Sequence, residues 1–384
     1  MKDERAMIAG VPKETIVGER RVSVVPEFVS RLSGLQVAVE HGAGEAAGFS
    51  DSAYTAAGAS ITAGARPLYD RADVILKVLP PTPVDADLFK RGSTLICFLY
   101  PLANLEVVRT LAARRVNSFA MELIPRISRA QPMDALSSQS TISGYKAVLL
   151  AADSLPKLFP MLMTAAGTIS PARVFVIGAG VAGLQAIAVA RRLGGVVEAY
   201  DVRPLVKEQV ASLGAKFVEL PIETKDAQDA GGYARAQSEE FYRKQQELLA
   251  EHVQTSDVVI TTALVPSGRP PVLVTEEAVR AMRPGSVIVD LAAEQGGNCA
   301  LTEPGRTVVK YGVTIHGPLN LPSTMAPEAS RLYSRNITSF LSAMLRGGSL
   351  NIDLNDELIR APLVTHDGEV VHQASRAALA GIGT

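Results

Sequence analysis

Polar and apolar positions along this chain follow two different periods. Short apolar runs (LQVAVEH, ADVILKV, STLICFLY, NSFAMEL) are interleaved with segments such as PEFVSRLS and LEVVRTLAARR, whose apolar residues recur every three or four positions. Strand-length runs alternating with amphipathic helical segments predict βαβ units and a parallel sheet. Roughly the first 120 residues make one such set, and a second opens at PARVFVIGAG and continues through VVEAYDV, AKFVEL, TSDVVITTAL and GSVIVDLA. Between them, residues 135–165 predict a long helix, rich in Ala, Leu, Lys and Met and closed by Gly167. Residues 326–344 predict another, which returns the chain to the first domain. Beyond Leu345 the pattern is short strand and turn, with Asp367-Gly368 as a hairpin signal.

Composition narrows the function. With 384 residues, 47% of them hydrophobic, the chain has enough material for two cored domains. Lys plus Arg (38) nearly cancels Asp plus Glu (39), which excludes nucleic acid or an anionic membrane surface as a bulk electrostatic partner and favours a small ligand. Cys97 and Cys299 stand far apart with no CxxC spacing, so neither a disulfide framework nor a zinc site is expected, and a reduced cytoplasm fits. No membrane span is expected: the most apolar region, GYKAVLLAADSLPKLFPMLMTAAG, is interrupted by Lys146, Asp153, Lys157 and two prolines. The acids of MKDERAM argue against a signal peptide.

The strongest chemical signal is VFVIGAGVAGLQAIAVARRLGGVVEAYDVR. Gly178, Gly180 and Gly183 complete G-x-G-x-x-G after an apolar strand and before a helix, and Asp201 ends the next strand 23 residues on. The glycines allow a tight turn and close approach of backbone to a pyrophosphate at the helix N-terminus. Asp201 would accept the adenosine ribose hydroxyls and repel a 2′-phosphate. NAD(H) is therefore expected rather than NADP(H), although the cationic Arg203 works against that choice. The fold class expected is α/β: two Rossmann-like domains with parallel sheets, the second inserted into the first. Residues 1–135 with 330–384 would form the N-terminal domain and residues 136–329 the NAD(H)-binding domain.

A second glycine pattern, HGAGEAAGFS with Gly42, Gly44 and Ala47, lacks an acidic strand end at the proper distance and would set Glu45 beside the phosphates. It reads as a structural turn. The five histidines, His41, His252, His316, His366 and His372, sit in no motif with a carboxylate and read as surface or capping residues. A cofactor site is thus expected without an evident acid–base apparatus.

Several stretches together resemble one family. GVPKE, RRVSVVP, ELIPRISRAQPMDALSSQSTISGYKAV, GAGVAGLQA, the Asp201-Val202-Arg203 turn, GGYAR, ITTAL and DLAAEQGGNC are similar to the alanine dehydrogenase/transhydrogenase superfamily across nearly the whole chain. Within it they resemble the NAD(H)-binding domain I of proton-translocating nicotinamide nucleotide transhydrogenases. The departures from alanine dehydrogenase separate the branches: Leu79 stands where that enzyme has a substrate-binding Lys, Tyr100 or a neighbour where it has a catalytic His, and Glu294 where it has an Asp. Of its substrate contacts only the equivalent of Arg21 is kept, so the amino-acid site reads as vestigial.

The resemblance implies that PRISRAQPMD and the following serines hold the nicotinamide end of NAD(H), through Arg126, Gln131, Asp134 and Ser137. Gln131 would bond the ribose, and Arg126 with Asp134 would orient the carboxamide or one another; the competing reading is a polar loop pinned by an Arg–Asp pair for structural reasons. Gly178, Ala179, Gly180, Val181, Ala182, Gly183, Asp201, Val202, Arg203, Ala263 and Leu264 would form the rest of the cofactor site, with Tyr233, beside the Gly231-Gly232 hinge, reaching in from a mobile loop. The resemblance further implies a homodimer, with NADP(H) on a partner domain and a membrane-spanning partner that carries the proton channel. It places the chain in the cytoplasm, peripheral on the inner face of the membrane. Two other functions stay open: an amino-acid dehydrogenase with unusual catalytic residues, and a non-catalytic NAD-sensing module.

Overall fold

The computed structural model describes residues 6–219, 238–264 and 269–382. It comprises two compact units, one running up to Gln139 and resuming at Ser323, the other the single stretch Ser140–Pro322. The seams have local causes. Gln139 donates to the Ala329 carbonyl (3.1 Å) and accepts from Arg21 (2.9 Å). The Ser323 hydroxyl accepts from the Arg20 amide and donates to the Gly18 carbonyl, both at 2.7 Å. Residues 135–139 and 323–329 therefore go with the first unit.

In the first unit, eight strands among the described residues form one sheet. Six are parallel, in the spatial order Ser60–Thr62, Gln36–Glu40, Ile8–Val11, Val74–Leu76, Thr94–Cys97, Asn117–Ala120. Leu363–His366 and Glu369–Val370 extend it antiparallel through the Asp367-Gly368 turn, where both residues have positive φ (48° and 95°), the geometry that joins strands in a tight hairpin. The helix Ala326–Met344 buries Tyr333, Ile337, Phe340, Leu341 and Met344 in the same cluster as Val24, Val39 and Phe119. Its Ser330 and Ser334 hydroxyls accept the amides of Val22 (3.0 Å) and Val25 (2.9 Å), so side chains hold a segment that lies outside the sheet.

The second unit is a seven-stranded sheet among the described residues, in the order Lys216–Phe217, Val196–Tyr200, Arg173–Ile177, Val258–Thr261, Val287–Asp290, Val313–His316, all parallel, then the antiparallel Thr307–Lys310. Counted along the chain, the parallel strands read 3-2-1-4-5-6, the order of dinucleotide-binding sheets. The central strands VFVI, VVIT and VIVD are buried on both faces, as a parallel sheet covered by helices requires. Val174 and Val176 enter one core, Phe175 and Ile177 the other, at the strand's period of two. The expected α/β class, two Rossmann-like domains with parallel sheets, is borne out, each sheet ending in antiparallel pairing at one edge.

The helix expected over 135–165 is shorter: it runs Ala135–Ser154. Pro156 disfavours helical backbone at Leu155, and Pro160 follows. Leu162–Thr164 and Gly167–Ile169 instead pair antiparallel, with Gly167, at φ 122°, opening the second strand directly after the turn. All six strand residues of this hairpin are exposed, Met163 by 83%.

Candidate dinucleotide site

In the second unit the strand order reverses between Arg173–Ile177 and Val258–Thr261, and the crevice beyond the carboxyl ends of such neighbours is where open α/β sheets bind ligands. The glycine loop lies at this point, and its three glycines meet three different constraints. Gly178 has φ 98°, and a Cβ there would fall 2.5 Å from the Thr262 hydroxyl. Gly183, in the first turn of the helix Val181–Arg192, would place a Cβ 1.8 Å from the Gly178 carbonyl oxygen. Gly180, the helix N-cap, is open: a Cβ would meet only the Arg203 guanidinium, 3.9 Å away. The outer two glycines are demanded by the protein's own backbone, while the middle one leaves free space over the helix N-terminus. That division fits a pyrophosphate, which needs close backbone approach there. Ala179, Val181 and Ala182 complete the loop and first turn. A Cβ on Gly144 would lie 2.1 Å from the Ala182 carbonyl oxygen, so Gly144 lets the helix Ala135–Ser154 close on the loop at backbone distance.

Asp201, 8% exposed, follows the strand Val196–Tyr200. Its Oδ2 accepts the Ala179 amide at 2.7 Å, which couples the acid directly to the glycine loop. Arg203 adds its amide to Oδ1 (2.9 Å) and grips both carboxylate oxygens with Nε (2.8 Å) and a terminal nitrogen (2.8 Å). The cation that counted against NAD in the sequence is thus engaged by Asp201 and fixes its orientation. Val202, between them, packs on the core that holds Phe175 and Ile177. Across the crevice, the Thr262 hydroxyl donates to the Gly178 carbonyl (3.0 Å), and Ala263 and Leu264 follow, Leu264 43% exposed. Thr262 and Gly144 escaped sequence reasoning; the available signal for Thr262 was a polar residue directly after an apolar strand. Tyr233 and the Gly231-Gly232 hinge lie outside the described residues.

In the first unit, PRISRAQPMD folds around a short 3-10 turn, Ser128–Met133, with Ala130 and Met133 in the core and Arg126, Arg129 and Gln131 exposed. Asp134 caps the helix Ala135–Ser154: its carboxylate accepts the Ser137 amide (2.9 Å) and the Ser137 hydroxyl (2.6 Å). From the helix Ala326–Met344, Asn336 donates to the Pro132 carbonyl (2.9 Å) and accepts from Ser138 (2.7 Å). An Arg–Asp pair does pin the loop, and it is the bidentate Arg129–Asp356, formed 227 positions apart. Gln131 and Arg126 are therefore presented outward from a base fixed by a cap, an asparagine and an ion pair.

The first sheet has its own reversal point, between Ile8–Val11 and Val74–Leu76, and the chain fills it itself. Glu14 and Lys77 pair at 2.9 Å with side chains 3% and 2% exposed, and the Val78 amide donates to Glu14 (2.6 Å). Burial pushes the Glu14 carboxyl above the usual carboxylate range, against the pull of Lys77 and that amide. Arg21 is engaged at three nitrogens, by Glu19 (2.9 and 2.6 Å) and by Gln139 (2.9 Å). Tyr100 takes φ 45°, and its amide and that of Leu99 donate to Glu122, whose carboxyl burial pushes up to about 7. In the second unit Glu294 accepts the Asn320 amide. Three histidines do find carboxylates: His41 with Asp51 (2.5 Å) and His252 with Glu198 (2.9 Å), each tying neighbouring elements of its unit, and His366 with the adjacent Asp367 (3.7 Å). The turn at Gly42 to Ala47 is structural: Gly44 lies where a Cβ would sit 2.7 Å from both Phe49 and Tyr54, and only a three-residue 3-10 turn follows.

Residues 10–143 match the family described as alanine dehydrogenase/PNT, N-terminal domain, and residues 147–373 match alanine dehydrogenase/PNT, C-terminal domain. The chain is 50% identical over 378 residues to an NAD(P) transhydrogenase subunit alpha chain of Rhodospirillum rubrum, covering 96% of this chain and 98% of that one. It is 30% identical over 379 residues to the alanine dehydrogenase of Bacillus subtilis, covering 96% and 93%. A solved transhydrogenase structure from Sinorhizobium meliloti matches with a TM-score of 0.83 at 43% identity, covering 96% of this chain and 99% of that one.

Proposed function

The chain belongs to the alanine dehydrogenase/PNT family, in the branch of the NAD(P) transhydrogenase alpha subunits, and on that premise we propose that it holds NAD(H) while hydride passes between that nucleotide and an NADP(H) held on a partner domain. The observation that carries this reading is the Gly178–Gly183 loop at the strand-order reversal, open only at Gly180 and hydrogen-bonded to Asp201. Asp201 accepts the adenosine ribose hydroxyls, the loop and helix N-terminus take the pyrophosphate, and Ala263 and Leu264 border the far side of the crevice. NADH, when bound, supplies the hydride. The chain's role is to hold the nicotinamide end still, with Arg126, Gln131, Asp134 and Ser137 as the candidates for that task. Hydride transfer moves no proton at the reacting carbons, so positioning matters more than a general acid or base.

Two observations support this over amino-acid oxidation: Arg21 is engaged by Glu19 and Gln139, and Leu79 supplies no ammonium. A sensor could stop at the adenosine end, whereas this sequence also carries PRISRAQPMD, a polar loop that the family resemblance gives to the nicotinamide end. Among the described residues no helix is long and apolar enough to cross a membrane. Proton movement is accordingly assigned to a membrane-spanning partner, with this chain peripheral on the cytoplasmic face. The exposed apolar hairpin of Leu162, Met163 and Ile169 supports a homodimer, because a two-stranded hairpin is marginal until its apolar side chains are covered.

Cofactor choice tests the site. A 2′-phosphate would meet the Asp201 carboxylate with like charge and remove a ribose hydrogen bond. NADH should therefore bind at least tenfold more tightly than NADPH, a difference of roughly 1.4 kcal/mol or more. Titration of the purified chain with each nucleotide checks this, and coincident curves would contradict the role given to Asp201.

A further inference from the structure

The stretch EQGGNC draws attention because the glycine loop and Asp201 leave it without a task. Asp290, fully buried at the end of the strand Val287–Asp290, collects five donors. Its Oδ1 accepts from the Thr261 hydroxyl (2.9 Å) and the Ala292 amide (3.0 Å), and its Oδ2 from the amides of Asn298 (2.8 Å) and Cys299 (3.0 Å) and the Thr302 hydroxyl (2.7 Å). Gly297, at φ 89°, lets the turn wrap this carboxylate, since a Cβ there would lie 2.6 Å from Oδ2. The result is a fixed Asn298, itself fully buried.

Its carboxamide does something unusual for a turn residue. Oδ1 accepts the Ala263 amide (2.9 Å), while Nδ2 donates to the Ala263 carbonyl (2.9 Å) and to the Pro271 carbonyl (2.8 Å). One side chain thus satisfies both backbone groups of the residue that leaves the strand Val258–Thr261, as a neighbouring strand would. Ala263 stands against the glycine loop: a Cβ on Gly178 would lie 3.3 Å from its amide nitrogen. Sheet order puts Asp201 on one side of that loop and Ala263 on the other, because Val196–Tyr200 and Val258–Thr261 flank Arg173–Ile177.

We infer that Asn298 is a positioning residue for the dinucleotide, fixing the Thr262–Leu264 wall on the side of the crevice away from the adenosine. The inference rests on the NAD(H) reading of the glycine loop. Asn298 touches no nucleotide in this scheme; it acts through the Ala263 peptide. Losing its donors would free that peptide while leaving Asp201 and the loop in place, so a ligand that spans the crevice should suffer and one confined to the adenosine side should not.

Asn298→Asp keeps the size and replaces two donors with an oxygen that faces two carbonyls. The expected result is NADH affinity reduced by about tenfold or more with 5′-AMP affinity changed by less than about threefold, each titrated on the full chain well below its melting temperature. Equal losses for both ligands would mean general destabilisation, and no loss for either would mean a purely structural carboxamide; each overturns the inference. The wild-type chain provides an arm that needs no variant: the Ala263 amide should resist hydrogen exchange before nucleotide is added, and fast exchange there also overturns it. Failure of wild-type chain to bind NADH at all would instead sink the NAD(H) reading itself, which keeps the two failures apart.

Discussion

Gly183→Ala is expected to weaken NADH binding by about a hundredfold or more, the largest loss from any single methyl in the site. The added Cβ would lie 1.8 Å from the Gly178 carbonyl oxygen, and both positions are backbone, so no rotamer change relieves the clash. The helix Val181–Arg192 must back away from the strand Arg173–Ile177, carrying its N-terminus and the Ala179 amide away from Asp201. Overpacking of this kind costs on the order of 1–3 kcal/mol, and about 2.7 kcal/mol corresponds to a hundredfold in affinity. Gly180→Ala makes the informative contrast. Its Cβ enters open space, so the melting temperature should hold while affinity falls, because the methyl would occupy the approach proposed for the pyrophosphate. NADH titration and thermal melting of both variants check this; a Gly183→Ala chain that binds like wild type would remove the fingerprint from the site.

Gln131→Asn should separate rate from affinity. Shortening the side chain by one methylene moves its amide by about an ångström, a displacement that can cost on the order of a hundredfold in rate when it misplaces a reacting carbon. The loop beneath should stay put, since the Arg129–Asp356 pair, the Asn336 contact to Pro132 and the Asp134 cap are untouched. NADH affinity should change by less than about fivefold, because the contacts proposed at Gly178 to Gly183 and Asp201 are untouched. Single-turnover hydride transfer in the reconstituted complex, set beside an NADH titration of the variant chain, distinguishes the outcomes. Equal losses in rate and affinity would mean the loop merely grips the cofactor.

What could be read from the chain and what could not follows the range of the interactions. GAGVAG and Asp201 were legible because a strand, a turn and a helix start are local events with fixed spacing, and the tertiary structure adds only that the three glycines are needed for different reasons. Arg203 was visible as a charge but not as a fork on Asp201, since sequence gives charge without direction. The Arg129–Asp356 pair was out of reach because its partners are 227 positions apart, and a charged loop offers no periodicity to pair them. Pro156 was visible and was outweighed by the helix-forming residues around it, a case of summed propensity losing to one missing amide and a steric block. The filling of the first crevice had a faint signal in GER: Glu19 two residues before Arg21 is close enough to reach the guanidinium, as it does. Asn298 had none, because its bonds run to the backbone of residues 27 and 35 positions away.

The most direct test is hydride transfer from NADH to NADP+ by the purified chain, with and without the NADP(H)-binding partner domain. The chain alone should show no turnover, since the proposal gives it one nicotinamide nucleotide, and the mixture should transfer hydride. Turnover by the chain alone, or none from the mixture, would contradict the division of labour proposed here.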